Sequence, residues 1–179
     1  MALRRLDPHK LDVAALAADA GQLQGEIDAS TLQRWRETQS APVDMALPPA
    51  RWSARGERRQ RSGEPPQIWL HLRVSAEAWA TCQRCLMPFR TPIEVDRAFR
   101  FVATEGEAEA LDADSEDDVL ALSASFDLVG LMEDELLLAW PLVPRHERCS
   151  QPEHEAGAEP TPADKPFAAL AAWRSRAKP

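Results

Sequence analysis

The stretch Thr81-Cys82-Gln83-Arg84-Cys85-Leu86-Met87-Pro88-Phe89 joins two runs of alternating apolar residues, and the predicted fold depends on it. Upstream, apolar side chains occupy every second position from Ile68 to Ala80. Downstream, four apolar residues between Ile93 and Phe101 share one face. Alternation with a period of two is typical of half-buried strands. The sequence therefore predicts a long hairpin with the cysteine pair at its turn, and Cys82 in register with the core-facing positions.

An almost wholly apolar helix is predicted from Leu128 to Trp140, with Asp127 as its N-cap and Pro141 ending it. A helix of this composition is a core element, so we expect an α+β fold in a single domain, with this helix packed on one face of an antiparallel sheet. The apolar sequence of this helix is interrupted by the three acidic residues Glu133-Asp134-Glu135. We expect Glu133 and Asp134 to face water. Glu135 shares the apolar face and should have an arginine or backbone partner, with a catalytic role as the alternative.

The remaining chain divides into segments of different composition. Residues 1–20 form an N-terminal segment with a short helix over 11–20, and residues 21–149 form the core domain, with a strand at 22–28 and a helix at 31–38 capped by Ser30. Within the core domain, the acidic residues 104–118 are expected to be a disordered loop. Residues 150–165 are predicted to be a flexible linker. Residues 166–177 are predicted to form a short helix, in which Phe167, Leu170 and Trp173 present one apolar face to a partner or to the domain.

The charge of the chain is divided unevenly along its length. The 179 residues carry a formal charge of −8, but residues 1–102 hold 15 Lys and Arg against 12 Asp and Glu, whereas residues 103–179 hold 6 against 17. Such asymmetry is typical of a basic surface that meets polyanions together with an acidic segment. Three cysteines do not suggest a disulfide framework, and no apolar leader or 18-residue apolar run occurs, so we expect a cytoplasmic protein.

Arginines are concentrated just before the hairpin, and aromatic residues accompany them on its outward face. Arginine suits bidentate contact with phosphate, and aromatic rings stack on bases. The alternatives are that these side chains pack under a neighbouring element and that the arginine content reflects a GC-biased genome. The candidate RNA-binding residues are Arg51, Arg55, Arg58, Arg59, Arg61, Trp69 and Arg73.

Two short motifs supply a candidate metal site. Cys82 and Cys85 form a C-x-x-C, and His146 and Cys149 form an H-x-x-C. Three thiolates and one imidazole suit tetrahedral zinc. The alternative is that the cysteines are small apolar core residues. A redox pair is disfavoured, because such pairs lie at a helix N-terminus and Pro88 with a strand follows here. Neither a G-x-S-x-G nor a glycine-rich phosphate loop is present.

Taken together, these motifs resemble the YceD family, the large ribosomal RNA subunit accumulation proteins. The resemblance runs from about Gly21 to Trp173 and rests on the Cys82–Cys85 turn, the segment from Glu133 to Pro144, the pair His146 and Cys149, and Lys165-Pro166-Phe167-Ala168-Ala169-Leu170. It implies a non-enzymatic role in making or maturing large-subunit ribosomal RNA. Some relatives carry a cysteine-rich segment after a proline pair, which in this chain is Pro141 and Pro144. Of that segment, this chain keeps only His146 and Cys149.

Three hypotheses follow for the function. The first is a factor that binds precursor ribosomal RNA or a pre-ribosomal particle through the arginine cluster. The second is a protein–protein adaptor that recruits a basic ribosomal protein or an RNA-processing enzyme through the acidic segment and the C-terminal helix. The third, a metal-dependent nuclease using Glu133, Asp134 or Glu135, is the weakest, because consecutive helical residues cannot all converge on one ion.

Overall fold

The computed structural model describes residues 7–40, 46, 48–60, 62–63, 65–113 and 115–149. The chain separates into two compact units, residues 1–146 and 147–179, and the fold described below belongs to the first. The predicted linker at 150–165 and C-terminal helix at 166–177, including Phe167, Leu170 and Trp173, lie outside the described residues.

The first unit is an α+β domain built on one five-stranded sheet, which confirms the predicted fold class. Four consecutive strands pair antiparallel, and the fifth pairs parallel with the fourth after a helical crossover. No helix among the described residues is long and apolar enough to cross a membrane. The elements are α1 Val13–Ala18, β1 Gln22–Ile27, a 3₁₀ turn Ala29–Thr31, α2 Gln33–Thr38, β2 Ala50–Arg59, β3 Gln67–Thr81, β4 Pro88–Val102, α3 Glu105–Asp112, β5 Asp118–Ala121 and α4 Leu128–Leu138.

The predicted hairpin is β3 and β4, two 15-residue strands whose register pairs Val74 with Val95 and Leu70 with Phe99. The even positions of β3 from Leu70 to Ala80 are buried, and they continue to Cys82 as expected. Helices α1 and α4 pack on this face, and α2 packs on α4. The core therefore lies on one side of the sheet, and we call the other side, formed by the odd positions of β2 and β3, the open face.

Helix α1 approaches β2 so closely that only glycine fits at position 56. A Cβ at Gly56 would lie 2.6 Å from the backbone of Leu16 and Ala17. The Gly56 amide also donates to the carbonyl oxygen of Gly21 at 3.0 Å. This contact seats α1 directly on the sheet. The observed helix is shorter than the predicted 11–20, because the Asp12 side chain caps its beginning by accepting from the Ala15 amide and it ends before Asp19.

Helix α4 begins at Leu128 as predicted, because the Asp127 carboxylate accepts hydrogen bonds from the amides of Val129 and Gly130. Residues 139 and 140, predicted to be helical, lie beyond its end at Leu138. The predicted helix at 31–38 is also shorter: a 3₁₀ turn capped by Asp28, not Ser30, precedes α2.

The prediction that residues 104–118 form a disordered loop is wrong for the part that carries α3. Thr104 caps this helix by accepting from the Glu107 amide, and Ala108 is buried at 4% exposure. Acidic residues in a first helical turn are stabilised by the helix dipole, which the composition argument neglected. The segment also forms the crossover connection from β4 to the parallel strand β5.

Glu133 was predicted to face water, but it is buried and its carboxylate holds α2 in place. Its Oε1 accepts the Trp35 backbone N–H at 3.1 Å, and its Oε2 accepts from Arg34 Nε and Nη2 at 3.1 and 3.0 Å. Because α2 has no side-chain cap of its own, Glu133 supplies one from another helix. Asp134 is exposed, as expected, and pairs with Arg34 Nη1 at 2.5 Å.

Candidate functional site

The turn between β3 and β4 is closed by two backbone hydrogen bonds around the cysteine pair. The Leu86 amide donates to the Cys82 carbonyl oxygen at 2.8 Å, and the Cys82 amide donates to that of Met87 at 3.0 Å. Leu86 has a φ of 61°, in the left-handed region that a leucine rarely adopts. The turn is thus held in a conformation that brings the second cysteine back toward the first.

The segment after α4 returns to this turn and places His146 beside the cysteines. The Gln83 amide donates to the carbonyl oxygen of the buried Pro144 at 2.9 Å. The ligand atoms of Cys82, Cys85 and His146 lie within 4.8 Å of one another, and Cys85 Sγ lies 3.7 Å from His146 Nε2. The segment from Pro144 to His146 therefore reaches the hairpin turn.

The environment of Cys82 favours the thiolate that a metal requires. Complete burial of its side chain opposes ionisation and would raise the pKa, but hydrogen bonds from the backbone amides of Arg84, His146 and Cys85, and from the Cys85 side chain, outweigh it. Together they lower the pKa of the Cys82 thiol to about 6. Backbone amides directed at a cysteine sulfur stabilise its negative charge in the absence of any basic side chain.

A soft metal ion fits these three residues. Two thiols and an imidazole are the ligand types that zinc prefers. The His146 Nδ1 atom is buried with no hydrogen-bond partner among the described residues, and the Phe89 ring lies 5.1 Å from the imidazole. The fourth predicted ligand, Cys149, follows His146 by three residues and is half-buried, at the beginning of the second unit.

The predicted RNA-binding arginines do not all share one face. Arg51, Arg55 and Arg59 are odd positions of β2, and Arg73 pairs opposite Ser53, so these four lie on the open face. Arg58 pairs with the core-facing Ile68 and lines a cavity beside α1 with Ala14 and Ala17. Arg58 is therefore exposed on the opposite side of the sheet. Arg61 lies outside the described residues.

One carboxylate, Glu57, organises the arginines at the centre of the open face. It pairs with Arg59 Nε at 2.8 Å, with His71 Nε2 at 2.6 Å and with Arg55 Nη2 at 3.3 Å. The Arg59 hydrogen bond is the main reason that the pKa of Glu57 falls to about 2, assisted by His71 and opposed by burial. The two arginines are consequently held in fixed positions within one network.

Trp69 is not the exposed stacking platform that the sequence suggested. The Arg59 guanidinium carbon lies 4.1 Å from the ring centroid, the ring N–H donates to Gln67 Oε1 at 3.1 Å, and the residue is only 5% exposed. A cation stacked on the ring occupies the position that a base would take. Trp69 therefore supports Arg59, and any RNA contact here is made through the arginine.

The open face is almost balanced in charge, although the arginine cluster in the sequence suggests a basic surface. Arg90 and Arg100 join it through the register of β4, and sequence reasoning missed both because they lie far from the cluster. On the described strands the arginines exceed the carboxylates by one: Arg51, Arg55, Arg59, Arg73, Arg90 and Arg100 face Glu26, Glu57, Glu77, Glu94 and Asp96. Arg73 pairs with Asp96 at 3.1 Å and Arg90 with Glu77 at 3.1 Å.

Glu135 has the arginine partner that the sequence predicted, but the contact is long. Its Oε2 lies 3.9 Å from Arg97 Nε, and Arg97 also forms a short hydrogen bond with Asp118. Burial is the main reason that the pKa of Glu135 is raised, with Arg97 opposing the shift. Glu133 and Asp134 share Arg34, whereas Glu135 faces Arg97, so the three carboxylates do not all converge on one point.

Comparison with known proteins identifies relatives but no structural template. No solved structure matches the chain. A protein of Haemophilus influenzae, named large ribosomal RNA subunit accumulation protein YceD, is 36% identical over 106 residues, which cover 55% of this chain and 61% of that protein. The matched region thus spans about three fifths of the relative. The family model described as "Large ribosomal RNA subunit accumulation protein YceD" matches residues 70–173, more than half of the chain, and the chain therefore belongs to the YceD family.

Proposed function

We propose that this chain is a non-enzymatic cytoplasmic factor for the accumulation and maturation of large-subunit ribosomal RNA. Its relative is named for large ribosomal RNA subunit accumulation. The observation that supports direct RNA contact is the placement of Arg51, Arg55, Arg59 and Arg73 on a sheet face against which α1 and α4 do not pack. The ligand would be precursor RNA or the RNA of a pre-ribosomal particle.

Phosphate contacts by several arginines have a measurable signature. Each neutralised phosphate of a single strand lowers the logarithm of affinity by about 0.7 per tenfold rise in salt. Arg51 and Arg58 have no ion pair within the described part of the chain, whereas Arg55 shares Glu57 with Arg59. Arg100 of the open face has no ion pair there either but is half-buried, whereas Arg51 is exposed, so Arg51 is the arginine of this face that is most available to a phosphate.

The experiment compares arginines on the two faces of the same strand. The intact protein is titrated onto a fluorescent large-subunit rRNA fragment at 50 and 200 mM salt. We expect the triple variant Arg51→Ser/Arg55→Ser/Arg73→Ser to weaken binding and to reduce the salt slope by roughly 2, from three lost phosphate contacts. Arg58→Ser, which removes an exposed arginine from the opposite face, should bind as the wild type does. Equal losses in Arg55→Ser and Arg58→Ser would exclude the open face.

A structural zinc ion is part of the proposal. Cys82, Cys85 and His146 would hold it, and the H-x-x-C spacing makes Cys149 the fourth ligand. Zinc would neutralise the thiolates and fix the segment after α4 to the hairpin turn. Metal content of the purified protein tests this: we expect about one zinc per chain, lost in Cys82→Ser, and a chain without metal would refute it.

The arginine partners of Glu133, Asp134 and Glu135 support a non-enzymatic role over a nuclease. Glu133 and Asp134 both bind Arg34, and Glu135 faces Arg97, so guanidinium groups occupy the positions that a magnesium ion would need. Incubation of the purified protein with rRNA and Mg²⁺ should leave the RNA intact. Cleavage that is lost in Glu135→Gln would overturn this assignment.

A second candidate function, the adaptor, is favoured by the acidic edge of the domain. Helix α3 carries Glu105, Glu107, Glu109 and Asp112 beside β5, and the whole chain has a net charge of −8. A basic ribosomal protein or an RNA-processing enzyme would be the partner. A pull-down that depends on residues 167–178 but not on the open-face arginines would favour this function over RNA binding.

A further inference from the structure

A groove of about 490 Å³ lies between α4, β5 and the end of α3. Its apolar lining comes from Phe99 and Leu120 of the sheet and from leucines of α4. Three carboxylates, Asp112, Asp118 and Asp134, also line it. The groove thus combines an apolar floor with an acidic rim, on the edge of the sheet that β5 forms.

Leu138, the last residue of α4, lines the same groove and is 76% exposed. Leu131 and Leu137 of the same helix are half-buried in it. Single exposed leucines are ordinary on protein surfaces. Here, however, the exposed leucine continues an apolar floor, and that combination is typical of surfaces that receive apolar side chains from another molecule.

Glu135 provides an independent indication that the groove binds a cation. The residue is only 7% exposed and lines the groove, and its carboxylate accepts no hydrogen bond from the described residues. Its one charged contact, Arg97 Nε at 3.9 Å, is beyond hydrogen-bond distance, and Arg97 is engaged by Asp118. A buried carboxylate without a donor is unfavourable, and a basic side chain entering the groove would supply that donor.

We propose that this groove binds a segment of a partner protein in which lysine or arginine alternates with large apolar residues. Glu135 receives one basic side chain, the acidic rim attracts the others, and Leu138 with the floor takes the apolar ones. The inference rests on the adaptor function and gives it a site. It does not depend on RNA binding, because an acidic rim repels phosphate.

The test uses a defined probe and the full chain. A fluorescein-labelled ten-residue peptide of alternating leucine and arginine is titrated with the protein and followed by fluorescence anisotropy. We expect saturable binding that Glu135→Gln weakens about tenfold, since it removes a charge-assisted hydrogen bond. Leu138→Ser should weaken it several-fold. The matched controls, Glu94→Gln on the open face and the fully exposed Leu142→Ser, should bind as the wild type does.

Two further peptides separate a specific site from general charge attraction. Replacing arginine by glutamate in the peptide should abolish binding, and replacing leucine by serine should weaken it strongly. If the serine peptide binds as well as the original, or if Glu135→Gln and Glu94→Gln weaken binding equally, the groove is not the site. Thermal unfolding of each variant verifies that the fold is retained.

Failure of this inference and failure of RNA binding give different results. Glu135→Gln and Leu138→Ser should leave the rRNA titration unchanged, and the open-face arginine variants should leave peptide binding unchanged. If instead the rRNA fragment displaces the peptide and Glu135→Gln weakens both, the groove binds nucleic acid and the proposed occupant is wrong.

Discussion

Glu133→Ala is the substitution for which the structure gives the sharpest expectation. The Glu133 carboxylate caps α2 from α4 by accepting the Trp35 N–H and holding Arg34. Trp35 is fully buried and packs edge-to-face on Trp140, with ring centroids 5.4 Å apart. Removal of the carboxylate would leave a buried backbone donor without a partner in the middle of this contact.

The magnitude follows from the two interactions that are lost. A buried unpaired N–H costs about 1–3 kcal/mol. The Arg34 pair is half-exposed on the arginine side and adds no more than about 1 kcal/mol. We therefore expect Glu133→Ala to lower the free energy of unfolding by roughly 1–4 kcal/mol. Glu133→Gln keeps an acceptor for Trp35 and should cost about 1 kcal/mol.

Asp134→Ala is the matched control, because Asp134 binds the same arginine from an exposed position. Urea unfolding followed by circular dichroism measures the free energies, and this control should lose less than about 1 kcal/mol. Amide hydrogen exchange provides a local signal: the Trp35 amide should exchange faster in Glu133→Ala and not in Asp134→Ala. Equal destabilisation of the two alanine variants would refute the capping role of Glu133.

The remaining predictions concern the turn, the open face, the groove and the metal. Leu86→Gly should stabilise the fold by about 0.5–1 kcal/mol, because φ is 61° and the side chain is 72% exposed, and urea unfolding with Met87→Gly as the control measures the difference. The pKa of Glu57 is lowered to about 2, so its stabilisation is present above its ordinary value of 4.5 and is lost as the pH falls toward 2; Glu57→Gln should flatten the acid limb of the stability–pH curve, and an unchanged limb would contradict this. The pKa of Glu135 is raised, so its ionisation opposes folding above pH 4.5; Glu135→Gln should raise the melting temperature at pH 7 but not at pH 4. Chelation by EDTA should lower the melting temperature of the wild type and leave Cys82→Ser unchanged, and an equal shift in both would argue against a zinc ion at the turn.

The central hairpin, α4 and the grouping of Cys82, Cys85 and His146 were predictable because each depends on short-range patterns. Alternation from Ile68 to Ala80 sets the register of β3, and Asp127 before an apolar run sets the beginning of α4. The C-x-x-C and H-x-x-C motifs were enough to predict that Cys82, Cys85 and His146 come together. Patterns of this kind are local in sequence, so a single sequence without an alignment is enough to recognise them.

Features that depend on pairing between distant residues could not be predicted. Arg58 and Arg59 are neighbours in sequence and lie on opposite sides of the sheet, which only the strand assignment reveals. The cap that Glu133 provides depends on Arg34 and Trp35, almost one hundred positions away. The burial of Trp69 under Arg59 is likewise a matter of register. Composition alone therefore overstated how basic and how aromatic the open face is.

Glu133 and Glu135 lie two positions apart on α4 and have opposite energetic roles. Both carboxylate oxygens of Glu133 accept hydrogen bonds within the fold, one from a backbone amide and the other from a guanidinium. Glu135 is equally buried, its carboxylate has no hydrogen-bond donor among the described residues, and burial raises its pKa. A glutamine at position 135 would serve the fold better, since an uncharged amide loses less on burial. The Glu135 carboxylate lines the groove and can still accept hydrogen bonds there. We therefore assign to Glu135 the binding of a partner and to Glu133 the stabilisation of the fold.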